Sequence, residues 1–145
     1  MPQAAAEPLR LLAEDAEDLK VISAALQDAV AKLGDIHWDA GSRSLTLALI
    51  RYRWEDGVRG KTRVRTALQL GGVLSVQARK LRRDAPRAVV ALLSVDFEAG
   101  EAPGGVVLLR FAGDADLRCE VECIDVILAD VSAPWPARRT PAHEA

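Results

Sequence analysis

Thr62-Arg63-Val64-Arg65-Thr66-Ala67-Leu68-Gln69-Leu70 is the stretch on which the fold turns. Thr62, Val64, Thr66, Leu68 and Leu70 alternate with Arg63, Arg65, Ala67 and Gln69. A side-chain period of two belongs to a strand with one face in a core and the other in water. Just upstream, Glu55 to Gly60 holds two glycines and reads as a hairpin loop. Leu45 to Trp54, rich in Leu, Ile, Tyr and Trp, is then the partner strand. If the loop closes about position 58, Arg51 faces Arg65 and Arg53 faces Arg63, all four on one side, with Tyr52 and Trp54 on the other. Like charges directly opposite destabilise a sheet. Water and salt, acids from elsewhere such as Glu120 and Glu122, or an anionic partner must offset them.

Downstream, a two-residue hairpin at Gly71-Gly72 would send Leu74 and Val76 to the arginine face. The even series Leu68, Leu70, Gly72, Leu74, Val76, Ala78 instead favours a long strand bent at the glycines, with a bulge or a longer loop as the alternatives. A basic loop, Arg79 to Arg87, follows. Ala88 to Phe97 and Gly105 to Ala112 read as strands around an acidic Gly/Pro turn, and Gly113 to Asp116 as a tight connection. Leu117 to Cys123 alternates again. Ile124, Ile127, Leu128 and Val131 fall at i, i+3, i+4 and i+7, which predicts a short closing helix ended by Pro134 and Pro136.

Toward the N-terminus, Asp15 is an N-cap acceptor with Glu17 and Asp18 in the first turn, where unpaired N–H groups favour negative charge. Leu19, Ile22, Leu26 and Val30 recur at helical spacing, predicting an amphipathic helix over about Ala16 to Asp28. Leu9 to Leu12 reads as a short edge strand and Ile36 to Asp39 as the end of another, turning through Ala40-Gly41-Ser42. The expected fold class is α+β: a mainly antiparallel β sandwich or open barrel with one N-terminal helix and one short C-terminal helix. A pleckstrin-homology-like roll is an analogous architecture, and the analogy implies nothing about lipid binding. Residues 9–136 are expected to form a single domain, with 1–8 and 137–145 flexible.

At 145 residues and 50% hydrophobic, the chain can bury a core without metal or disulfide staples. It has no basic n-region and no apolar run near the length of a membrane span, so a cytoplasmic location is expected, with both cysteines as thiols. The net charge of −2 conceals blocks: residues 43–87 carry 12 basic and 3 acidic side chains, and 88–133 carry 2 and 9. Such blocks serve either to bind a polyanion or to neutralise one another across strands.

No catalytic constellation is readable. Cys119 and Cys123 form a C-x3-C pair, but zinc wants four ligands and only His37 and His143 remain. Both sulfurs fall on an apolar strand face beside Glu120 and Glu122, a setting for small hydrophobes rather than nucleophiles. His37 has Asp35 and Asp39 nearby and no motif-linked nucleophile to serve. Gly71-Gly72 and Gly104-Gly105 lack the lysine or helix start of a phosphate loop, and Asp114 and Asp116 sit in a turn where acids are common. No catalytic residue, cofactor or metal is implied. Arg51, Arg53, Arg63 and Arg65 are the candidate residues for binding an anion or a partner.

Asp18-Leu19 with Ser23-Ala24-Ala25-Leu26-Gln27-Asp28-Ala29-Val30, then Arg53-Trp54-Glu55, Phe97-Glu98, Phe111-Ala112-Gly113, Val121-Glu122-Cys123-Ile124 and Trp135 carry a resemblance. Over about Leu9 to His143 the chain resembles an uncharacterised, mainly alphaproteobacterial family classified as domain of unknown function 2948. The resemblance implies a small cytosolic bacterial protein and transfers no catalytic residues. Three functions stay open: a non-catalytic domain that binds another protein, a binder of nucleic acid or another polyanion through the basic hairpin, and an enzyme with an unrecognised site. A steep salt dependence would mark the second, and a deep polar pocket around His37 would favour the third.

Overall fold

The computed structural model describes residues 7–56, 62–82 and 84–136. The expected tail 137–145 with His143, most of the expected N-terminal tail, and most of the loop between Glu55 and Gly60 lie outside the described residues.

Asp15 caps the helix as its sequence predicts, its carboxylate accepting from the Asp18 N–H at 2.8 Å. Helix α1 (Ala16–Ala25) buries Leu19 and Ile22, and Leu26 follows them inward. It stops three residues short of the expected end, because Asp28 takes a positive φ and Val30 opens strand β2 (Val30–Lys32) rather than extending the helical stripe. The edge strand expected at 9–12 is β1 (Arg10–Ala13).

Strands β4 (Ser44–Tyr52) and β5 (Thr62–Leu70) form the predicted hairpin. Strand β3 (Ile36–Asp39) and β2 both lie along the free side of β4. Strand β2 also pairs with β7 (Val89–Ala99), which begins a second half continued by β8 (Gly105–Phe111), β9 (Ala115–Val121) and β6 (Val73–Arg79). Among the described residues this makes one antiparallel sheet of eleven strands, not closed, with β6 as the free edge at one end. Its two halves enclose a single core to which Leu45, Leu47, Leu68 and Leu70 contribute from one side and Val107, Leu109, Leu117 and Cys119 from the other. Helix α1 packs on β7 and β1. Burying each such leucine stabilises the fold by about 1.5–3 kcal/mol.

The two glycines after β5 carry the chain from one half-sheet to the other. Gly72 has φ +62, a conformation that costs glycine little. No hairpin forms there, in line with the bend, and a register shift between Val73 and Ser75 completes the corner. The shift breaks the even series: Leu70 and Val73 are buried whereas Leu74 is exposed.

The expected C-terminal helix is a strand, β10 (Val126–Asp130), inserted between β1 and β5. Over so short a segment both periods fit. The burial of Val126 and Leu128, with Val131 64% exposed, is the strand's pattern and not a helix stripe. What decides it is the otherwise unpaired edge of β5, whose N–H and C=O groups β10 satisfies. The last strand, β11 (Trp135–Pro136), adds to the same edge. A C-terminal helix closing a pleckstrin-homology-like roll is therefore absent among the described residues; the one α-helix there is N-terminal.

Candidate functional site

The register of β4 and β5 differs by one residue from the symmetric closure about position 58. Arg51 pairs with Val64, Tyr52 with Arg63 and Ile50 with Arg65. Since a one-residue slip exchanges faces, the four arginines separate into two pairs. Arg51 and Arg53 continue the inward stripe of Leu45, Leu47 and Leu49, and are 0% and 6% exposed. Arg63 and Arg65 stand on the outer face with Tyr52.

The inner pair meets carboxylates. Arg51 Nε donates to Asp130 Oδ1 at 2.9 Å and its Nη2 to Asp130 Oδ2 at 2.8 Å. The same guanidinium grips Glu55 through Nη1 at 3.0 Å and Nη2 at 2.8 Å, and its remaining donor goes to the Tyr52 carbonyl at 3.0 Å. All five N–H groups are thus used, the condition under which a buried guanidinium is tolerated. The side chain of Asp130 is itself fully buried. Burial opposes its ionisation, but hydrogen bonds from Arg51 and the Leu9 N–H, with the Arg51 charge, hold its carboxyl below the ordinary range. Glu55 is likewise lowered, chiefly by its hydrogen bond from Arg51. Burial works against the Arg51 charge, yet the two carboxylates raise its pKa above the usual arginine value. Arg53 reaches the Glu7 carbonyl at 3.4 Å and lies 3.9 Å from Glu55. This cluster neutralises itself, and through the Leu9 bond it ties β1 to the hairpin.

The outer pair meets rings. The Arg63 guanidinium lies 4.8 Å from the centre of the Tyr52 ring and donates to its hydroxyl at 2.7 Å. Arg65 stands 5.9 Å over Trp135, which β11 places directly opposite Arg63. Trp54 tilts against Tyr52 at 5.4 Å, anchored by its indole N–H on the Gln27 carbonyl, and stays 47% exposed. Two of the three tryptophans and the single tyrosine of the chain therefore share this face with two arginines. Neither Arg63 nor Arg65 has a carboxylate partner among the described residues, and Arg63 Nε is buried without a hydrogen bond there.

The acids expected to neutralise the hairpin act elsewhere: Glu122 pairs with Arg43 at 2.7 Å and Glu120 meets Ser75. Asp114 and Asp116 hold Arg79, and hydrogen bonds from Arg79 and Lys80 bring Asp114 down to about 2. Cys119 is a core residue whose thiol burial pushes up to about 12, while Cys123 lies past the end of β9, half-buried. His37 is exposed on β3. No group of three or more His, Cys, Asp or Glu suited to a metal occurs among the described residues.

Asp130, Glu55 and Trp135 belong to the site and were not legible as such. A signal for Asp130 existed: it extends the even series Val126, Leu128 just as Arg51 extends Leu45, Leu47, Leu49. Two opposite charges ending two apolar stripes is the pattern of a buried pair.

Among the described residues these features define an unclosed antiparallel sheet with one α-helix, a self-neutralised arginine at the end of its core and a cationic aromatic face outside. The chain belongs to the family described as Protein of unknown function (DUF2948), whose model matches residues 9–143. No curated protein and no solved structure matches it. No helix among the described residues is long and apolar enough to cross a membrane.

Proposed function

We propose that the protein is a non-catalytic cytoplasmic interaction domain that docks on an acidic patch of another protein through the outer face of β4, β5 and β11. The observation that carries this reading is the pairing of two arginines with aromatic rings in place of carboxylates. Trp, Tyr and Arg are the residue types that dominate protein–protein binding energy, and here they are held together before any partner arrives. A guanidinium on a ring keeps its donors for an incoming carboxylate, whereas one already forked to Asp or Glu does not.

The second reading, a binder of nucleic acid or another polyanion, keeps the same two arginines. The burial of Arg51 and Arg53 removes half of the candidate cations from its surface. Because Arg63 covers the Tyr52 ring and Arg65 lies over Trp135, those ring faces are less open to stacked bases.

The test is affinity purification of the tagged protein from its native host, with and without nuclease, beside Arg63→Glu/Arg65→Glu and an Arg118→Glu surface control. One stoichiometric protein, retained after nuclease and by the control but lost from the double variant, is the expected result. Recovery that disappears with nuclease selects the polyanion reading, and a partner retained by the double variant overturns the assignment of this face.

A further inference from the structure

Near Leu45, at the end of β4 opposite to Arg51, β3 and β6 line one cavity without pairing with each other. Among the described residues, β6 is the last strand on the path of the sheet and β3 pairs with β4 alone. Between them lies an open cavity of about 310 Å³. Ile36 and Trp38 of β3 form one wall, Val76 and Ala78 of β6 the other, and the core residues Leu45 and Leu117 the floor. Each pair stands two residues apart on its strand, so the wall side chains point inward together.

The gap is braced at both ends. At one, the Val73 N–H donates to the Arg43 carbonyl at 2.8 Å, and Arg43 Nη1 donates to Glu122 Oε1 at 2.7 Å. At the other, the Leu33 and Gly34 N–H groups donate to the carbonyls of Ala88 and Pro86 at 2.9 and 2.8 Å. The space is preformed, which is what small-molecule sites require, and its volume stands at the lower end of their range. At the roughly 30 Å³ that a liquid water occupies, it has room for about ten small groups.

Among the described residues, Arg82 is the one charged residue lining the cavity. Its partner Asp84 lies at 3.5 Å with both side chains 77% exposed, a contact of little worth. The segment 79–87 around it carries five basic residues and one acid, with Arg79 and Lys80 already held by Asp114 and Asp116. His37, between two wall residues, is exposed, and the cavity is apolar rather than a polar pocket around that histidine.

We propose that this cavity binds a small molecule with an apolar body and one anionic group, of the size of a medium-chain carboxylic acid, its body between β3 and β6 and its carboxylate on Arg82. The site is separate from the arginine–aromatic face, and neither assignment rests on the other.

Calorimetric titration of the full chain with octanoate tests it, with octanol and octyltrimethylammonium as neutral and cationic counterparts. Saturable binding of one octanoate per chain is expected, with octanol weaker and the cation silent. Arg82→Glu should weaken octanoate about tenfold, the loss of one charge-assisted hydrogen bond. Ala78→Phe and Val76→Phe each fill the cavity from one wall and should abolish binding; agreement between them, with melting temperatures recorded for both, separates blockage from misfolding. Absence of saturable octanoate binding, or binding undiminished in both filled variants, overturns the site. Octanol binding as tightly as octanoate overturns the anionic assignment and points to a neutral occupant such as a partner's apolar side chain.

Discussion

The inner and outer arginine pairs of the β4–β5 hairpin are the same residue type, two residues apart on neighbouring strands, and they solve opposite problems. Arg51 lies in the core, where an unpaired charge would cost several kcal/mol, and it is forked on Asp130 and Glu55 with every donor used. Arg63 and Arg65 are on the wet face, where rings suffice and carboxylates are not needed. Charge alone therefore does not mark a binding residue. The environment set by strand register separates a cation that completes the fold from one left available to a partner.

The comparison breaks most visibly at Arg51. Replacement by Met leaves Asp130 buried without its counter-ion and should cost about 3–5 kcal/mol in urea unfolding. Asp130→Ala leaves the guanidinium on Glu55 alone, with its Nε unpaired, and should cost less than Arg51→Met. The double variant Arg51→Met/Asp130→Leu should recover most of the loss, since an apolar pair of similar volume replaces a buried ion pair at little net cost. A double variant as unstable as either single would mean that the carboxylate network contributes more than charge compensation.

Acid should expose the same cluster. Asp130 and Glu55 both have lowered folded pKa values, so the folded state binds fewer protons than the unfolded one in the acid range. Their contribution is complete above the unfolded carboxyl values of about 4, and it is lost as pH falls through the depressed folded values. The urea midpoint should drop over that window, and drop less steeply in Arg51→Met/Asp130→Leu. Parallel pH profiles for the two proteins would show that other carboxylates, such as Asp114, carry the acid sensitivity.

The outer pair should answer weakly in stability. Arg63→Ala should cost about 0.5–1 kcal/mol and Arg65→Ala less, the scale of exposed cation–π contacts. Tyr52→Phe, which removes the hydroxyl that Arg63 bonds, should cost about 0.5–1 kcal/mol as one neutral-to-charged hydrogen bond at a half-exposed site. An effect at Arg63 as large as that at Arg51 would erase the distinction between the two faces.

The hairpin's parity was within reach of the sequence. The leucines of β4 are at odd positions and those of β5 at even ones, so a shared core face demands that opposite residues sum to an odd number. Closure about position 58 makes that sum even and puts Leu49 opposite Ala67 instead of Thr66. Applying the apolar stripe across the turn, not only along each strand, would have put Arg51 inside. The β10 segment was different in kind: Ile124, Ile127, Leu128 and Val131 fit a helix on their own, and nothing local shows that β5 has an edge to fill.

The sequence by itself determined the local elements: the capped helix after Asp15 and the alternating strands of the β4–β5 hairpin. These follow from side-chain period and backbone freedom, which act over a few residues. Only the tertiary structure decided which arginines are buried, that β10 is a strand, and that β3 and β6 face each other across an apolar cavity. Those outcomes depend on pairing between segments far apart in the chain, where the need to satisfy backbone edges and buried charges overrides local preference.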